Sequence, residues 1–202
     1  MELSIGEANV TGGTYAFKSL EAATQDLSEG KIDVLVTSPF SKDAIQKAGF
    51  QFPGHTEYLA DMSGVPEALM ILVSPTLKVA LVTTHIPIKE VSSALTKDGI
   101  ALKIEKFEQS LKKDFGIVKP RIAVFGLNPH AGEDGLLGDE EINIIQPVIK
   151  DFKDKGHLVF GPYPADGFFG MLHQKKFDGV LAMYHDQGLI PFKSLAFETG
   201  VN

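Results

Sequence analysis

Three histidines follow three separate apolar runs of the sequence, and their side chains are the ones best suited to chemistry. The segments read Leu81-Val82-Thr83-Thr84-His85, Val124-Phe125-Gly126-Leu127-Asn128-Pro129-His130 and Leu181-Ala182-Met183-Tyr184-His185. Each run predicts a short buried strand, so each histidine falls at or just beyond a strand's C-terminal end. Ligands bind at that edge of open α/β sheets, and three neutral imidazoles with an open coordination position describe a catalytic metal site.

A single histidine in such a place is more often a solvated or hydrogen-bonded loop residue, and only the threefold repeat favours a shared ion. Imidazole suits zinc and cobalt, whereas carboxylates such as Asp166 or Asp186 would complete a harder site for magnesium. His157 and His173 lie in lysine-rich contexts. We expect those two side chains to be solvated.

The segment Gly54-His55-Thr56-Glu57 follows Pro53 in a turn and offers an imidazole, a hydroxyl and a carboxylate within one tight loop. It is equally well explained as a helix start with Thr56 or a neighbour as the cap. Both interpretations stay open on the sequence.

The glycine-rich stretch Gly126–Gly138 invites comparison with a phosphate-binding loop. It has neither the dinucleotide-binding glycine pattern nor the Lys-Ser/Thr ending of a nucleotide triphosphate loop. Flexibility around His130 is the simpler explanation, and no residue is assigned to a nucleotide cofactor. Lys193 and Asn202 follow the last histidine, and an exposed lysine by itself indicates only solubility.

Composition narrows the classes of function. The 202 residues, 44% hydrophobic and 22% charged, can bury a core in one domain or two small lobes. A net charge of −7 disfavours nucleic acid, and the absence of cysteine leaves His, Asp and Glu as metal ligands. The sequence has no apolar run long enough to span a membrane and no signal pattern, so we expect a cytoplasmic protein.

Strand patterns that alternate with helical patterns predict an α/β protein with parallel strands joined by helical crossovers. The predicted strands are Ile32–Thr37, Ala68–Val73, Val79–Thr84, Arg121–Gly126, Leu158–Phe160 and Gly179–Met183. The predicted helices are Thr14–Leu27, one starting near Ser41, one through Ile100 to Leu111, and one beginning at Glu140-Glu141. Asp139 is expected to cap that last helix and Pro147 to kink it.

Five blocks of the sequence resemble, in the same order, those of the 4-hydroxythreonine-4-phosphate dehydrogenase family. They are Gly54-His55-Thr56-Glu57, Thr83-Thr84-His85-Ile86-Pro87, Gly126-Leu127-Asn128-Pro129-His130-Ala131-Gly132-Glu133, Pro164-Ala165-Asp166 and Met183-Tyr184-His185-Asp186-Gln187-Gly188. The resemblance runs over nearly the whole chain, and its asparagine-proline-histidine and tyrosine-histidine-aspartate-glutamine blocks are highly specific.

The resemblance implies an isocitrate/isopropylmalate dehydrogenase-like fold with a parallel-dominated sheet, and a homodimer whose active site lies at the subunit interface. The positions that match the family's metal ligands are His85, His130 and His185. Those that match its substrate-binding residues are His55, Thr56, Lys193 and Asn202. Asp166 and Asp186 are expected to orient ligating histidines from a second layer of contacts.

The reaction implied is the oxidation of 4-phosphooxy-L-threonine by NAD (or NADP) and its decarboxylation to 3-amino-2-oxopropyl phosphate, in pyridoxine 5'-phosphate synthesis. One divalent ion per subunit, zinc, magnesium or cobalt, would act as a Lewis acid on the substrate's C3 hydroxyl. Residues 1–202 would be the central metal- and substrate-binding part, because the family's proteins continue at both ends into regions that supply much of the dinucleotide site.

Three other functions remain open. Relatives of the family oxidise phosphorylated threonate or aromatic cis-diols with the same type of metal site. A truncated, non-catalytic metal-binding dimerisation module would bind metal but not NAD. A metal-dependent hydrolase would be active without any nicotinamide.

Overall fold

The computed structural model describes residues 6–202, which form two compact units, residues 6–68 and 69–202. Within its described residues, the smaller unit contains three helices: α1 (Val10–Ser28), α2 (Lys42–Lys47) and α3 (His55–Met62). Asn9 caps α1 through its side chain, and Ser41 caps α2 in the same way, as the sequence predicts for a helix near Ser41.

Aromatic side chains fill the core of the smaller unit. Phe50 lies at its centre, with its ring centroid 5.3 Å from that of Phe17 and 5.6 Å from those of Phe40 and Tyr58. Edge-to-face packing of this kind stabilises aromatic clusters beyond the area that they bury. Leu20 and Ile45 complete the core from α1 and α2.

The strand predicted at Ile32–Thr37 is wrong, because the structure has no ladder partner for this segment among the described residues. Leu35 packs against the aromatic core, whereas the side chains of Val34 and Val36 are exposed. The burial of this segment does not alternate as it does in a strand, and among the described residues it lacks the hydrogen-bonding neighbour that a strand requires.

The larger unit alternates strands with helices. Its strands are β1 (Ile71–Val73), β2 (Lys78–Leu81), β3 (Ile122–Phe125), β4 (Val159–Tyr163) and β5 (Gly179–Ala182). Its α-helices are α4 (Ile88–Ala94), α5 (Lys97–Lys113), α6 (Gln146–Asp154), α7 (Ala165–Gly170) and α8 (His185–Ala196), with short helical turns at Pro129–Gly135, Glu141–Ile145 and His173–Lys176.

The five strands form one sheet in the order β1-β2-β5-β3-β4. β1 runs antiparallel to β2, and the three other pairings are parallel. Helical segments connect β2 to β3, β3 to β4 and β4 to β5. The predicted α/β class with a parallel-dominated sheet is confirmed.

Alternate residues of each central strand face opposite sides of the sheet, as the period of two requires. In β3, Ile122 and Val124 pack with α5 and α6, whereas Ala123 and Phe125 pack with α7 and α8. All four side chains are completely buried. A strand covered on both faces is an almost continuous apolar run, which is why these strands could be found from the sequence.

The predicted interruption at Pro147 takes the form of a π-helical turn at Glu141–Ile145, directly before α6. Pro147 has no N–H to donate to the preceding turn, and a widened turn accommodates this loss. Asp139 does not cap the helix through its side chain, contrary to the prediction, because its carboxylate accepts from the side-chain amide of Asn143 instead.

None of the helices found in residues 6–202 is both long enough and apolar enough to cross a membrane.

Candidate functional site

The three strand-end histidines come from neighbouring strands. β5 lies between β2 and β3, and it is parallel to both. His85 follows β2, His185 follows β5 and His130 follows β3. The C-terminal ends of the three strands therefore lie side by side, so all three histidines follow strands that end at the same edge of the sheet. We call this edge, with His85, His130 and His185, the histidine edge.

Hydrogen bonds join these strand ends beyond the regular ladder. The Met183 carbonyl accepts from the backbone N–H of Thr83 at 3.1 Å and from the Thr83 hydroxyl at 2.8 Å. The Met183 N–H donates to Gln187 Oε1 at 2.7 Å, and Gln187 Nε2 donates to the Gly126 carbonyl at 2.7 Å. Because Gly126 follows β3, the ends of β2, β5 and β3 form one connected edge.

Two cavities open at this edge. One, of about 250 Å³, is lined by His85 and His185. The other, of about 480 Å³, is lined by His130 together with Asp166. Tyr184 and Asp186 line both cavities, so the two spaces share a wall.

The imidazoles of His85 and His185 are close neighbours, with ring centroids 5.6 Å apart. Nδ1 of His185 lies 2.7 Å from Oδ1 of the exposed Asp186. His185 is the first residue of α8 and Asp186 the second, so the helix dipole favours the negative charge of this carboxylate. Within residues 6–202, no three His, Asp or Glu side chains converge closely enough to hold a metal ion.

His130 lies in a turn of unusual backbone conformation. Six consecutive residues have positive φ: His130 (52°), Ala131 (52°), Gly132 (81°), Glu133 (42°), Asp134 (53°) and Gly135 (94°). Four of the six are not glycine, and the left-handed region is unfavourable for L-residues. This stretch is a specific turn, whereas the sequence alone suggested mere flexibility around His130.

His55 and Thr56 are the first two residues of α3 in the smaller unit. The helix-start interpretation is confirmed: the N-cap is Gly54, a neighbour of Thr56, and it makes no side-chain hydrogen bond. The His55 ring packs against Phe40 with centroids 4.1 Å apart, beside a cavity of about 230 Å³. Burial lowers the pKa of His55, so its neutral form is favoured.

The structure does not bring Lys193 and Asn202 to the histidine edge. Lys193 is exposed and lies eight residues after His185 on α8, a rise of about 12 Å along the helix axis. Asn202 follows Val201, which pairs with Val73 at the end of antiparallel β1. Because Val73 lies opposite the first residue of β2, Asn202 is at the opposite edge of the sheet.

The two remaining histidines are not simply solvated. His157 is half-buried, and its Nδ1 lies 2.9 Å and 3.0 Å from the two carboxylate oxygens of Glu108, so the expectation of a solvated side chain is wrong there. His173 packs edge-on against Phe168, with centroids 5.9 Å apart. Neither residue lines the two cavities at the histidine edge.

Sequence reasoning missed Glu141 and Gln187. The Glu141 side chain is 1% exposed, and it binds the residues that lead into the His130 turn. Glu141 begins the largely apolar segment Glu141-Ile142-Asn143-Ile144-Ile145, directly after a glycine-rich loop. An acidic residue in that position is the sequence signal that could have identified it. Gln187 belongs to one of the motif blocks, but its partner Gly126 lies 61 positions away, so no local pattern indicates the contact.

Comparison with solved structures confirms the fold. The 4-hydroxythreonine-4-phosphate dehydrogenase of Klebsiella pneumoniae superposes with a TM-score of 0.88 at 42% identity, covering 96% of this chain and 59% of that one. A terephthalate 1,2-cis-dihydrodiol dehydrogenase of Burkholderia xenovorans gives a TM-score of 0.74 at 31% identity, covering 98% and 63%. The expected isocitrate/isopropylmalate dehydrogenase-like fold is shared with these structures.

Comparison with curated sequences agrees. A 4-hydroxythreonine-4-phosphate dehydrogenase of Bacteroides thetaiotaomicron is 50% identical over 203 residues, covering all of this chain and 56% of its own length. This chain thus spans little more than half of that relative. The family described as pyridoxal phosphate biosynthetic protein PdxA matches residues 1–202. Because this match includes all 202 residues of the sequence, the chain belongs to the PdxA family.

Proposed function

We propose that the whole protein oxidises 4-phosphooxy-L-threonine with NAD or NADP and decarboxylates the product to 3-amino-2-oxopropyl phosphate. The observation that carries the proposal is the delivery of His85, His130 and His185 to one sheet edge by three adjacent strands. The 50% identity to a relative named for this substrate supports the choice of reaction.

We further propose that His85, His130 and His185 hold one divalent ion per subunit. The chemistry of the donor set suits such an ion, because the imidazoles are neutral nitrogen ligands at the edge where α/β sheets bind ligands. Within residues 6–202 of one chain the three side chains do not converge closely enough to hold it, so the assignment rests on donor type and on their common edge. Asp186 engages Nδ1 of His185, which leaves Nε2 as the nitrogen that would face the ion. Imidazoles favour zinc or cobalt, and participation of Asp166 or Asp186 would favour magnesium.

The ion, when bound, supplies Lewis acidity to the reacting oxygen of the substrate. NAD or NADP, when bound, would supply the hydride acceptor for the C3 hydrogen, and the proton of the C3 hydroxyl would be released. Loss of carbon dioxide from the 3-oxo acid breaks its bond from C2 to the carboxylate, and C2 takes up a proton in its place. The protein's part is to orient the substrate, and the apolar side chains of Phe169 and Ile190 line the larger cavity beside His130.

We assign substrate binding to His55, Thr56, Lys193 and Asn202. The lowered pKa of His55 keeps its imidazole neutral, so that it would donate one hydrogen bond and accept another. Lys193 and Asn202 lie away from the histidine edge of their own subunit. A homodimer with the site at the interface is therefore proposed, because a second copy would allow these two residues to reach a substrate.

The alternative is a related dehydrogenase that acts on a cis-diol or on 4-phospho-threonate. The cis-dihydrodiol dehydrogenase of Burkholderia xenovorans supports it, because that protein shares the fold at 31% identity. Turnover of 4-phosphooxy-threonine should be compared with that of 4-phospho-threonate and of an aromatic cis-dihydrodiol. Faster turnover of 4-phospho-threonate or of the cis-dihydrodiol would favour the related dehydrogenase over the 4-phosphooxy-L-threonine dehydrogenase.

The first experiment measures metal content by elemental analysis and NAD binding by calorimetry on the same purified sample. Metal together with NAD binding would support the dehydrogenase. Metal without NAD binding would support the non-catalytic metal-binding module, and turnover without any nicotinamide would support a hydrolase.

The ligand assignment is tested by substitution. His130→Ala is expected to lose most of the metal affinity, whereas His173→Ala, which removes a histidine packed on Phe168, should keep it. Equal effects of the two substitutions would refute the assignment.

A further inference from the structure

Glu141 is a buried carboxylate whose hydrogen bonds are concentrated on one short segment. Its Oε1 accepts from the backbone N–H of Leu127 at 2.7 Å and from that of Asn128 at 2.8 Å. Its Oε2 accepts from Asn128 Nδ2 at 2.9 Å. All three donors belong to the two residues that directly precede Pro129 and His130.

The side chain of Asn128 is held from both sides. Its Nδ2 also donates to Oε2 of Glu140 at 2.6 Å, and the other oxygen of Glu140 accepts from the hydroxyl of Ser92 at 2.5 Å. Both hydrogens of the Asn128 amide are therefore used by carboxylates. Of these two acidic residues, only Glu141 also binds the backbone of the segment and is fully buried.

The turn that follows needs such an anchor. The left-handed region is unfavourable for every residue except glycine, and His130, Ala131, Glu133 and Asp134 are all in that region. Strained backbone of this kind persists only where surrounding contacts hold it, and it is concentrated at functional sites. Charge-assisted hydrogen bonds to the entry of the turn are the strongest polar contacts available for this purpose.

Two glycines leave space for the Glu141 carboxylate. A Cβ atom on Gly126 would lie 2.8 Å from Oε1, and one on Gly132 would lie 2.7 Å from Oε2. Gly126 precedes the anchored segment, and Gly132 lies in the middle of the left-handed turn. The carboxylate thus occupies a pocket formed by the backbone of the loop that carries His130.

We propose that Glu141 is the positioning residue of the His130 turn, and that its hydrogen bonds to Leu127 and Asn128 set the metal affinity of the histidine edge. This inference rests on the proposed role of His130 as a metal ligand. The π-helical turn that begins at Glu141 directs the carboxylate toward the loop instead of the solvent. Outer contacts of this type usually change metal affinity by about 10- to 100-fold.

The test compares Glu141→Gln and Glu141→Leu with the unchanged protein. Glutamine can still accept from the two backbone N–H groups, but its amide opposes the donor Nδ2 of Asn128. Leucine removes all three acceptor contacts. Glu108→Gln is the matched control, because Glu108 is also a nearly buried, hydrogen-bonded carboxylate, but it belongs to α5 and pairs with His157.

Two quantities are measured for each protein. Co²⁺ is titrated while its visible absorption spectrum is recorded, which gives both the affinity and the ligand geometry. Hydrogen exchange of the metal-free protein is followed by mass spectrometry for residues 127–134. The exchange measurement needs no metal, so it reports the conformation of the turn by itself.

We expect Co²⁺ affinity to fall by about 10- to 100-fold in Glu141→Gln and further in Glu141→Leu, with an altered spectrum and faster exchange in residues 127–134. Glu108→Gln should leave the spectrum, the affinity and that exchange unchanged. Co²⁺ affinities within twofold of the unchanged protein in both Glu141 variants would overturn the proposal.

Failure of Co²⁺ to bind the unchanged protein would instead refute the metal assignment made above. The exchange measurement would then decide the role of Glu141 alone. Unchanged exchange of residues 127–134 in Glu141→Leu would exclude Glu141 as the anchor of the turn.

Discussion

The side-chain amide of Gln187 donates a hydrogen bond of 2.7 Å to the carbonyl of Gly126, which joins the start of α8 to the end of β3. The same amide accepts from the Met183 N–H at 2.7 Å, at the end of β5. One side chain therefore satisfies two backbone groups that lie beyond the regular strand pairing. Gln187 therefore links the two strand ends that precede His130 and His185.

The first prediction concerns this link. Gln187→Leu should lower the free energy of unfolding by about 1–3 kcal/mol, because it leaves the Met183 N–H and the Gly126 carbonyl without their partner. The measurement is urea denaturation followed by circular dichroism. Gln109→Leu is the control. Gln109 is exposed on α5, so this substitution should change the free energy of unfolding by less than about 0.5 kcal/mol. Equal losses in the two variants would show that the link contributes nothing.

The second prediction separates backbone strain from crowding in the His130 turn. Gly132→Ala places a Cβ 2.7 Å from Glu141 Oε2 at a φ of +81°, whereas Gly116→Ala, at a φ of +67°, meets nothing within 4 Å. Gly116→Ala should cost about 1 kcal/mol through its left-handed backbone alone. Gly132→Ala should cost about 1–3 kcal/mol more, because it displaces a buried carboxylate from its hydrogen bonds.

Urea denaturation of both glycine variants gives the comparison directly. Combining Gly132→Ala with Glu141→Gln provides a further check. If the extra loss comes from contact with the carboxylate, the double variant should be less destabilised than the sum of the single ones. If the losses in free energy of unfolding of the two single variants simply add in the double variant, the Cβ added by Gly132→Ala is not crowded by the Glu141 carboxylate.

Much of the histidine edge could be predicted because it depends on local patterns. β2, β3 and β5 are buried on both faces, so each is an apolar run that ends where a histidine follows. The left-handed turn at His130 could not be predicted in this way. It depends on Glu141, which contacts residues 13 and 14 positions earlier in the chain, and no local pattern encodes a contact over that distance.

The failed strand at Ile32–Thr37 shows the opposite error. Its β-branched residues are typical of a strand, but strand propensity mostly measures how side chains pack on a pleated surface. With Val36 89% exposed, no such surface covers this segment among the described residues. The assignments of Lys193 and Asn202 came from family resemblance, and their positions away from the histidine edge could not have been read from residue types.

The third prediction concerns two adjacent glycines in α1. A Cβ on Gly13 would lie 2.1 Å from the backbone carbonyl oxygen of Ala44, where α2 packs against α1, and backbone cannot move aside cheaply. A Cβ on Gly12 would make only an ordinary contact of 3.6 Å with the side chain of Asn9. Gly13→Ala should therefore destabilise the smaller unit by about 2–3 kcal/mol, whereas Gly12→Ala should stabilise it by up to about 1 kcal/mol.

Urea denaturation measures the change in the free energy of unfolding. Hydrogen exchange of the α1 amides shows whether that change arises in the smaller unit, which contains both glycines. Faster exchange in Gly13→Ala and slower exchange in Gly12→Ala is the expected pattern. If Gly13→Ala leaves the free energy of unfolding unchanged, α1 and α2 are not packed so closely that an added Cβ would lie 2.1 Å from the Ala44 carbonyl oxygen.

The last prediction is a pH dependence centred on Glu108. Burial opposes ionisation of this carboxyl, but hydrogen bonds from His157 and Lys112 outweigh it, so the pKa of Glu108 lies below its ordinary value of 4.5. In the unfolded chain the pKa returns to that ordinary value. The stabilisation is therefore complete above pH 4.5 and is lost as the pH falls through the lowered pKa of the folded state.

Glu108→Gln should be less stable than the unchanged protein by on the order of 1 kcal/mol near pH 6, and the difference should shrink as the pH falls below 4.5. Urea denaturation at a series of pH values measures it. Glu105→Gln, an exposed position on the same helix, should show no more than about 0.5 kcal/mol at any pH. If the difference in free energy of unfolding between Glu108→Gln and the unchanged protein instead stays constant at every acidic pH measured, the pairing with His157 and Lys112 does not stabilise the ionised carboxylate.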